Sequence, residues 1–239
     1  MCICWTVAGE TNDLLRFSTT ALQWEHLDAA LVSGSPPSPR FRFGMVAVGG
    51  DIFVFGGKTD LGVRFSNDFF RISTTTLQWE QLNATQVSGI PPGPRIGENM
   101  VAVGGDLYVF ESWTGSSEEK GAVNDFSRFS TTALRWEQLD APPLPGFPPS
   151  PRMGHSVSAT GGDLYVFGGA TDRTSNYDPV LSNELFRFST TALRWEHLDA
   201  TQVSGSPPIP RYGHAMVALG VDLFIFGGDA DSGEKGQCG

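Results

Sequence analysis

One short pattern, L-[QR]-W-E-[HQ]-L, occurs four times in a chain of 239 residues, around Trp24, Trp79, Trp136 and Trp195. A recurrence of this kind constrains the fold more than any isolated motif. Each copy has to build the same small unit, and units of this size bury a core only by stacking on one another. The tryptophans are 55, 57 and 59 residues apart, and Arg40, Arg95, Arg152 and Arg211 follow the same intervals. Each of these arginines closes a Pro-rich segment, PPSPR, PPGPR, PPSPR or PPIPR.

The variation in period has one source. From each arginine to the end of the next Gly-Gly site is 17 positions, from each N-[DE] asparagine (Asn12, Asn67, Asn124, Asn183) to its tryptophan 12, and from tryptophan to arginine 16. Only the stretch between the Gly-Gly site and the asparagine changes, holding 9, 11 and 13 residues. Insertions are tolerated where backbone is exposed, so that stretch reads as a surface loop and the constant spacings as scaffold.

Each repeat reads as four strands. The first follows the arginine (GMVAVG, ENMVAVG, HSVSATG, HAMVALG) and ends at a turn carrying Asp51, Asp106, Asp163 or Asp222. The second is an unbroken apolar run (IFVFGG, LYVFES, LYVFGG, LFIFGG). Continuous β-branched and aromatic residues suit a strand covered on both faces. The third lies around DLLRFS, DFFRIS, DFSRFS and ELFRFS. A turn S-T-T-[AT]-L joins it to the fourth, WEHL or WEQL. Serine and threonine bond the backbone locally at such turns. No stretch carries a helical period. Short strands repeated in this way are best buried by radial stacking into blades.

PRMGHSVSATGGDLYVFGG followed by SNELFRFSTTALRWEHL resembles the Kelch repeat, with its Arg-x-Gly-His start, its apolar strand ending in Gly-Gly, and its Trp-x-x-Leu end. The resemblance runs from about Asn12 to Gly228. It implies an all-β chain, a Kelch-type β-propeller of about four four-stranded blades in a single domain over 1–239. The repeats fall at about 41–95, 96–152 and 153–211. Residues 212–228 supply strands one and two, and 12–40 strands three and four, of a composite blade that closes the ring. Phe43 and Glu98 depart from the pattern's histidine, kept at His155 and His214, and Glu111-Ser112 replace Gly-Gly.

Strand alternation puts the one-to-two and three-to-four turns on one face of the disc, where they are nearly identical between repeats. The two-to-three and four-to-one loops fall on the other. A specific binder needs chemically distinct positions, which points to this second face as the surface for a protein or peptide partner. The candidates are Lys58, Asp60 and Arg64 in the first two-to-three loop, Trp113, Glu118 and Glu119 in the second, and Arg173, Tyr177 and Asp178 in the third. A mix of arginine with Trp or Tyr is what interface hot spots favour. Arg42, in PRFRFG, joins them, because some Kelch proteins hold acidic peptide groups with an arginine near this position. The repeated tryptophans are assigned to packing.

A net charge of −10 without a Lys/Arg cluster argues against nucleic acid and anionic membrane as partners. No apolar run approaches the roughly 18 residues of a membrane helix, and no secretory leader is seen, so a cytoplasmic protein is the default expectation. The cysteines, Cys2, Cys4 and Cys238, form no disulfide framework. Ring closure would bring Cys2 or Cys4 near Cys238, although free thiols are expected. No nucleophile elbow, phosphate loop or zinc motif appears, so no enzyme activity and no cofactor are expected. The alternative is a propeller enzyme or metal-dependent specifier-like protein, resembling Kelch-type specifiers or galactose oxidase. Its metal set would be Glu98, His155 and His214, which share one position in successive repeats, two imidazoles and a carboxylate being an iron-binding set.

Overall fold

The computed structural model describes residues 12–28, 30–59, 65–97, 100–114, 121–140, 143–173 and 179–230, with backbone alone at 111–114, 121–124, 172–173 and 179. Among these residues every regular element is a β-strand. The chain opens with a hairpin of β1 (Leu15–Ser18) and β2 (Gln23–His26), followed by the short strands β3 (Ser33–Gly34) and β4 (Arg40–Phe41). The first complete blade holds β5 (Gly44–Val48), β6 (Asp51–Phe55), the two-residue β7 (Lys58–Thr59), β8 (Phe69–Ser73) and β9 (Gln78–Gln81). After β10 (Arg95–Ile96), the second holds β11 (Met100–Val103), β12 (Asp106–Thr114), β13 (Gly121–Ser130) and β14 (Arg135–Gln138). The third holds β15 (Ser156–Thr160), β16 (Asp163–Phe167), the small pair β17 (Ala170–Arg173) and β18 (Pro179–Leu181), β19 (Leu185–Ser189) and β20 (Arg194–His197). A second hairpin, β21 (Ala215–Leu219) and β22 (Asp222–Phe226), follows.

Within each complete blade the four principal strands are antiparallel neighbours in chain order, as in β15-β16-β19-β20. The register of the central pair is the same in the first and third blades: Asp51↔Ser73 to Phe55↔Phe69, and Asp163↔Ser189 to Phe167↔Leu185. The core lies between blades. Phe53, Phe55, Phe69 and Leu82 of the first meet Met100, Leu107, Val109, Phe129 and Trp136 of the second. One slot further, Tyr108, Phe110, Phe126 and Leu139 meet Leu164, Val166, Phe186, Phe188 and Trp195. Ring geometry repeats with the sequence. Phe69 stands edge-on to Phe129 and Phe126 edge-on to Phe188, with centroids 4.8 and 4.7 Å apart. Edge-to-face pairs of this kind add to the burial of their area.

The constant spacings have physical causes. The asparagine amide donates to a proline carbonyl of the Pro-rich segment, Asn67 to Pro92 (3.3 Å) and Asn183 to Pro208 (3.1 Å). The acid that follows it takes the repeated arginine: Asp68 pairs Arg40, Asp125 pairs Arg95, and Glu184 pairs Arg152. Those guanidinia are buried, and Arg40 and Arg152 also donate to the carbonyl of the first glycine of Gly-Gly, at 2.8 and 2.9 Å. The segment after each tryptophan then crosses to the next blade. Gly34, Gly89 and Gly146 lie so close to the tryptophan carbonyl there that an added Cβ would stand 2.1, 2.0 and 1.8 Å from its oxygen.

The two end hairpins remain separate two-stranded sheets; no ladder joins β22 to β1 among the described residues. Inner strands follow one another as β5, β11, β15, β21, and β21 does not pack on β5 as the others pack on their neighbours. Among the described residues there are three four-stranded blades flanked by two hairpins, and the expected pairing of the ends is not among their ladders.

Candidate interaction face

Two sets of hydrogen bonds define the faces of the disc. In the three complete blades the first threonine of the S-T-T turn bonds back to the one-to-two turn: Thr74 Oγ1 to Gly50 O (2.6 Å), Thr131 to Gly105 (2.6 Å) and Thr190 to Gly162 (2.5 Å). Those turns share a face. On the other, the four-to-one segments pair with the start of the two-to-three segments. β4 pairs β7, β10 pairs the end of β12, Met153 bridges Ala170, and Tyr212 bridges Asp229.

The four-to-one loops place their third residue in the left-handed region. Gly97, Gly154 and Gly213 have φ of 146°, 63° and 66°, values glycine takes without a Cβ penalty. In the first repeat that position is Arg42, at φ 53°. A non-glycine residue there costs roughly 1–2 kcal/mol. Its carbonyl accepts from Gly97 N at 3.0 Å, the bond that Gly154 O receives from Gly213 N at 2.7 Å. The side chain of Arg42 is exposed. Beside it, Phe41 lies opposite Lys58 in the β4–β7 ladder, with Lys58 Nζ 5.6 Å from the ring centroid. No described carboxylate forms a salt bridge with Arg42 or Lys58. The combination of Phe41, Arg42 and Lys58 is a basic, partly apolar corner.

Of the other sequence candidates, Asp60, Arg64, Glu118, Glu119, Tyr177 and Asp178 lie outside the described residues, as do Cys2, Cys4 and Cys238. Trp113 is not in a loop. It lies in β12, opposite Ile96 on one side and Ala122 on the other. Where Gly-Gly is present its two residues take positive φ, 72° and 96° at Gly56 and Gly57, and the strand stops. Glu111 and Ser112 continue it to Thr114. Arg173 likewise lies in strand β17, opposite Pro179. Phe41 was missed as a candidate, although its place beside Arg42 was readable.

The histidines at the shared position are packing groups. His155 is buried edge-on to Phe110 of the preceding blade, and His214 edge-on to Phe167 of its own predecessor, at 5.7 and 5.3 Å. Ser156 Oγ and His214 Nε2 are 2.6 Å apart. Burial, with Arg152 and His214 nearby, pushes His155 down to about 3, so it is neutral at pH 7. Burial lowers His214 too, with Arg211 acting in the same sense. At Glu184 burial pushes the carboxyl up, but bonds from Arg152 and Ser182 outweigh it and hold the group below its ordinary value. Among the described residues no three of His, Cys, Asp and Glu gather as a metal set, and Glu98 lies outside them. No described helix is long and apolar enough to cross a membrane.

Residues 6–228 match the family described as the KLHDC2/KLHL20/DRC7 Kelch-repeats domain. The chain is 28% identical over 231 residues to the leucine-zipper-like transcriptional regulator 1 homolog of Drosophila melanogaster, covering 92% of this chain and 22% of that protein. It is 27% identical over 232 residues to Kelch domain-containing protein 3 of Bos taurus, covering 95% and 57% respectively. To host cell factor 1 of Homo sapiens it is 27% identical over 238 residues, 92% of this chain and 11% of that one. The chain thus spans little more than half of the bovine relative and far less of the other two. The family match, the four-stranded blades and the interblade core agree: the chain belongs to the Kelch-repeat family of β-propeller proteins.

Proposed function

We propose that this chain is a protein-interaction module that binds a protein or peptide partner on the face bearing the two-to-three and four-to-one loops, with Arg42 and Lys58 receiving an acidic group. The observation that carries this reading is Arg42 in a left-handed position that the other three repeats fill with glycine. Backbone strain concentrates where a side chain has a use that offsets its cost. Here the side chain is exposed and follows Phe41, whose ring carries Lys58, so that the segment supplies charge and apolar area to a ligand group. The two-to-three loops, which differ in length and sequence between repeats, give the partner something to discriminate.

The reading is tested by selecting peptides from a displayed library on the intact chain. Acidic peptides should be enriched, and Arg42→Gly should weaken the selected binders at least tenfold without loss of folding. Enrichment without acidic preference, or equal binding to Arg42→Gly and Lys58→Ala, would overturn it.

A further inference from the structure

The second blade departs from the first at its outer strands, next to the S-T-T turn. In the first blade Glu80 Oε2 accepts from Arg71 at 2.6 Å, and Glu80 Oε1 accepts from Gln86 Nε2 at 3.0 Å. Gln86 is held in place through its side-chain carbonyl, which accepts from Asn83 N at 3.0 Å; Gln202 of the third repeat takes Asp199 N in the same way, also at 3.0 Å. In the second repeat the aligned residue is Pro143, which carries no side-chain donor. Glu137 keeps its arginine, with Arg128 Nη2 2.5 Å from Oε2, but its Oε1 has no hydrogen-bond donor among the described residues.

A cavity of about 300 Å³ stands at this place, lined by Arg128, Ser130, Ala133, Arg135 and Glu137. Arg135 takes the position of Gln78 in the first repeat, and among the described residues it pairs with no carboxylate. Arg135 and Glu137 are two residues apart on β14, so they share a face of the sheet at a separation of roughly 7 Å. Arg128 is anchored from two sides, by Glu137 and by Asp106 at 3.6 Å, which fixes the carboxylate whose other oxygen is open. The cavity thus offers one cationic donor and one anionic acceptor in a set arrangement. A simple oxyanion suits the guanidinium but meets Glu137, and a simple cation suits Glu137 but meets Arg135. A neutral group with a donor and an acceptor on the same carbon satisfies both. In the first blade the group on the equivalent carboxylate oxygen is such a one, the carboxamide of Gln86.

We propose that this cavity binds the carboxamide side chain of a glutamine or asparagine on a protein partner, its NH₂ donating to Glu137 Oε1 and its carbonyl accepting from Arg135. The second blade then takes from a partner the group that the first repeat supplies for itself. The site lies by the S-T-T turn, on the face opposite the Arg42 corner, and does not depend on that corner. A site that pairs both ends of a polar group discriminates against analogues that leave one of its own groups unpaired.

The test is a nuclear magnetic resonance titration of the full chain with N-acetylglutamine methylamide. Saturable shifts are expected at the Nε–H signals of Arg128 and Arg135 and at the backbone N–H of Ala133. Arg135→Gln copies Gln78 of the first repeat and so suits the strand. It should weaken binding about tenfold, the loss of one hydrogen bond from a charged donor. Arg194→Gln, at the matching position of the third repeat, should leave binding unchanged. The methylamides of N-acetylglutamate and N-acetyllysine should bind more weakly than the glutamine probe. Shifts that never saturate, equal binding to Arg135→Gln, an equal loss from Arg194→Gln, or a glutamate or lysine probe that binds as tightly would each overturn the proposal.

Discussion

Trp136 and Trp24 occupy the same position of the same motif, yet one is 1% exposed and the other 66%. Their immediate surroundings are alike. Each closes a hairpin through the same turn, and each packs 5.0 Å from the phenylalanine opposite it. What differs is the blade that lies against them. Trp136 meets Phe55 and Phe69 of the preceding blade at 5.4 and 5.1 Å. Trp24 has no such neighbour among the described residues. The motif thus specifies a hairpin, whereas burial comes from the adjoining repeat. That is how stability is distributed in repeat proteins generally, as unit terms plus nearest-neighbour interfaces.

Truncation of both rings tests the contrast most directly. Trp136→Ala should cost about 3–5 kcal/mol in chemical denaturation. Trp24→Ala should stay within roughly 0.5 kcal/mol; equal losses would refute the contrast. The repeated arginines offer the same comparison with charge. Arg95 is buried against Asp125, and Arg95→Met should cost about 3 kcal/mol by stranding that carboxylate. Arg211→Met, which strands no carboxylate among the described residues, should cost under about 1 kcal/mol.

A smaller effect is expected from acid. His155 is depressed in the folded chain, so between the ordinary imidazole value of 6.5 and its folded value of about 3 the unfolded chain binds the extra proton. The stabilisation that results is fully present above pH 6.5, and it is lost as pH falls through that window. It is on the order of a few kcal/mol. His155→Phe, which copies the residue of the first blade, should flatten the fall in stability between pH 7 and pH 4. An unchanged slope would place the acid sensitivity elsewhere. Glu184, also depressed, works in the same direction and remains in the variant.

The smallest effect should come from Arg42→Gly. Relief of the left-handed strain and the added freedom of glycine in the unfolded chain nearly cancel, leaving a change within about 1 kcal/mol. A large loss of stability would mean that Arg42 is a structural residue and would remove it from the proposed binding corner.

Much of this was legible before any coordinates. Constant spacings located the strands to within a residue or two, since Asn67, Asn183 and the buried arginines hold fixed lengths of chain between fixed partners. The faces followed from alternation. Arg42 was readable as an oddity by aligning it with Gly97, Gly154 and Gly213. Trp113 falls in β12 rather than in the two-to-three loop because Glu111-Ser112 remove the strand terminator that Gly-Gly supplies. Whether the ends of the arc meet was not legible at all. It depends on the sum of several interblade angles, and each angle is set by how rings such as Phe69 and Trp136 interlock across a slot rather than by any local pattern.

The run-on of β12 has a consequence for how such a disc acquires relief. Gly56-Gly57 and Gly168-Gly169 end their strands, but in β12 the ladder resumes after a shift of register at Glu111, Ser112 pairing Val123 and Thr114 pairing Gly121. Two side chains in place of two hydrogen atoms thus raise a hydrogen-bonded spur above one blade while the sheet beneath keeps its dimensions. A repeat architecture can in this way change its topography one blade at a time, and the new feature inherits rigidity from the sheet that it extends.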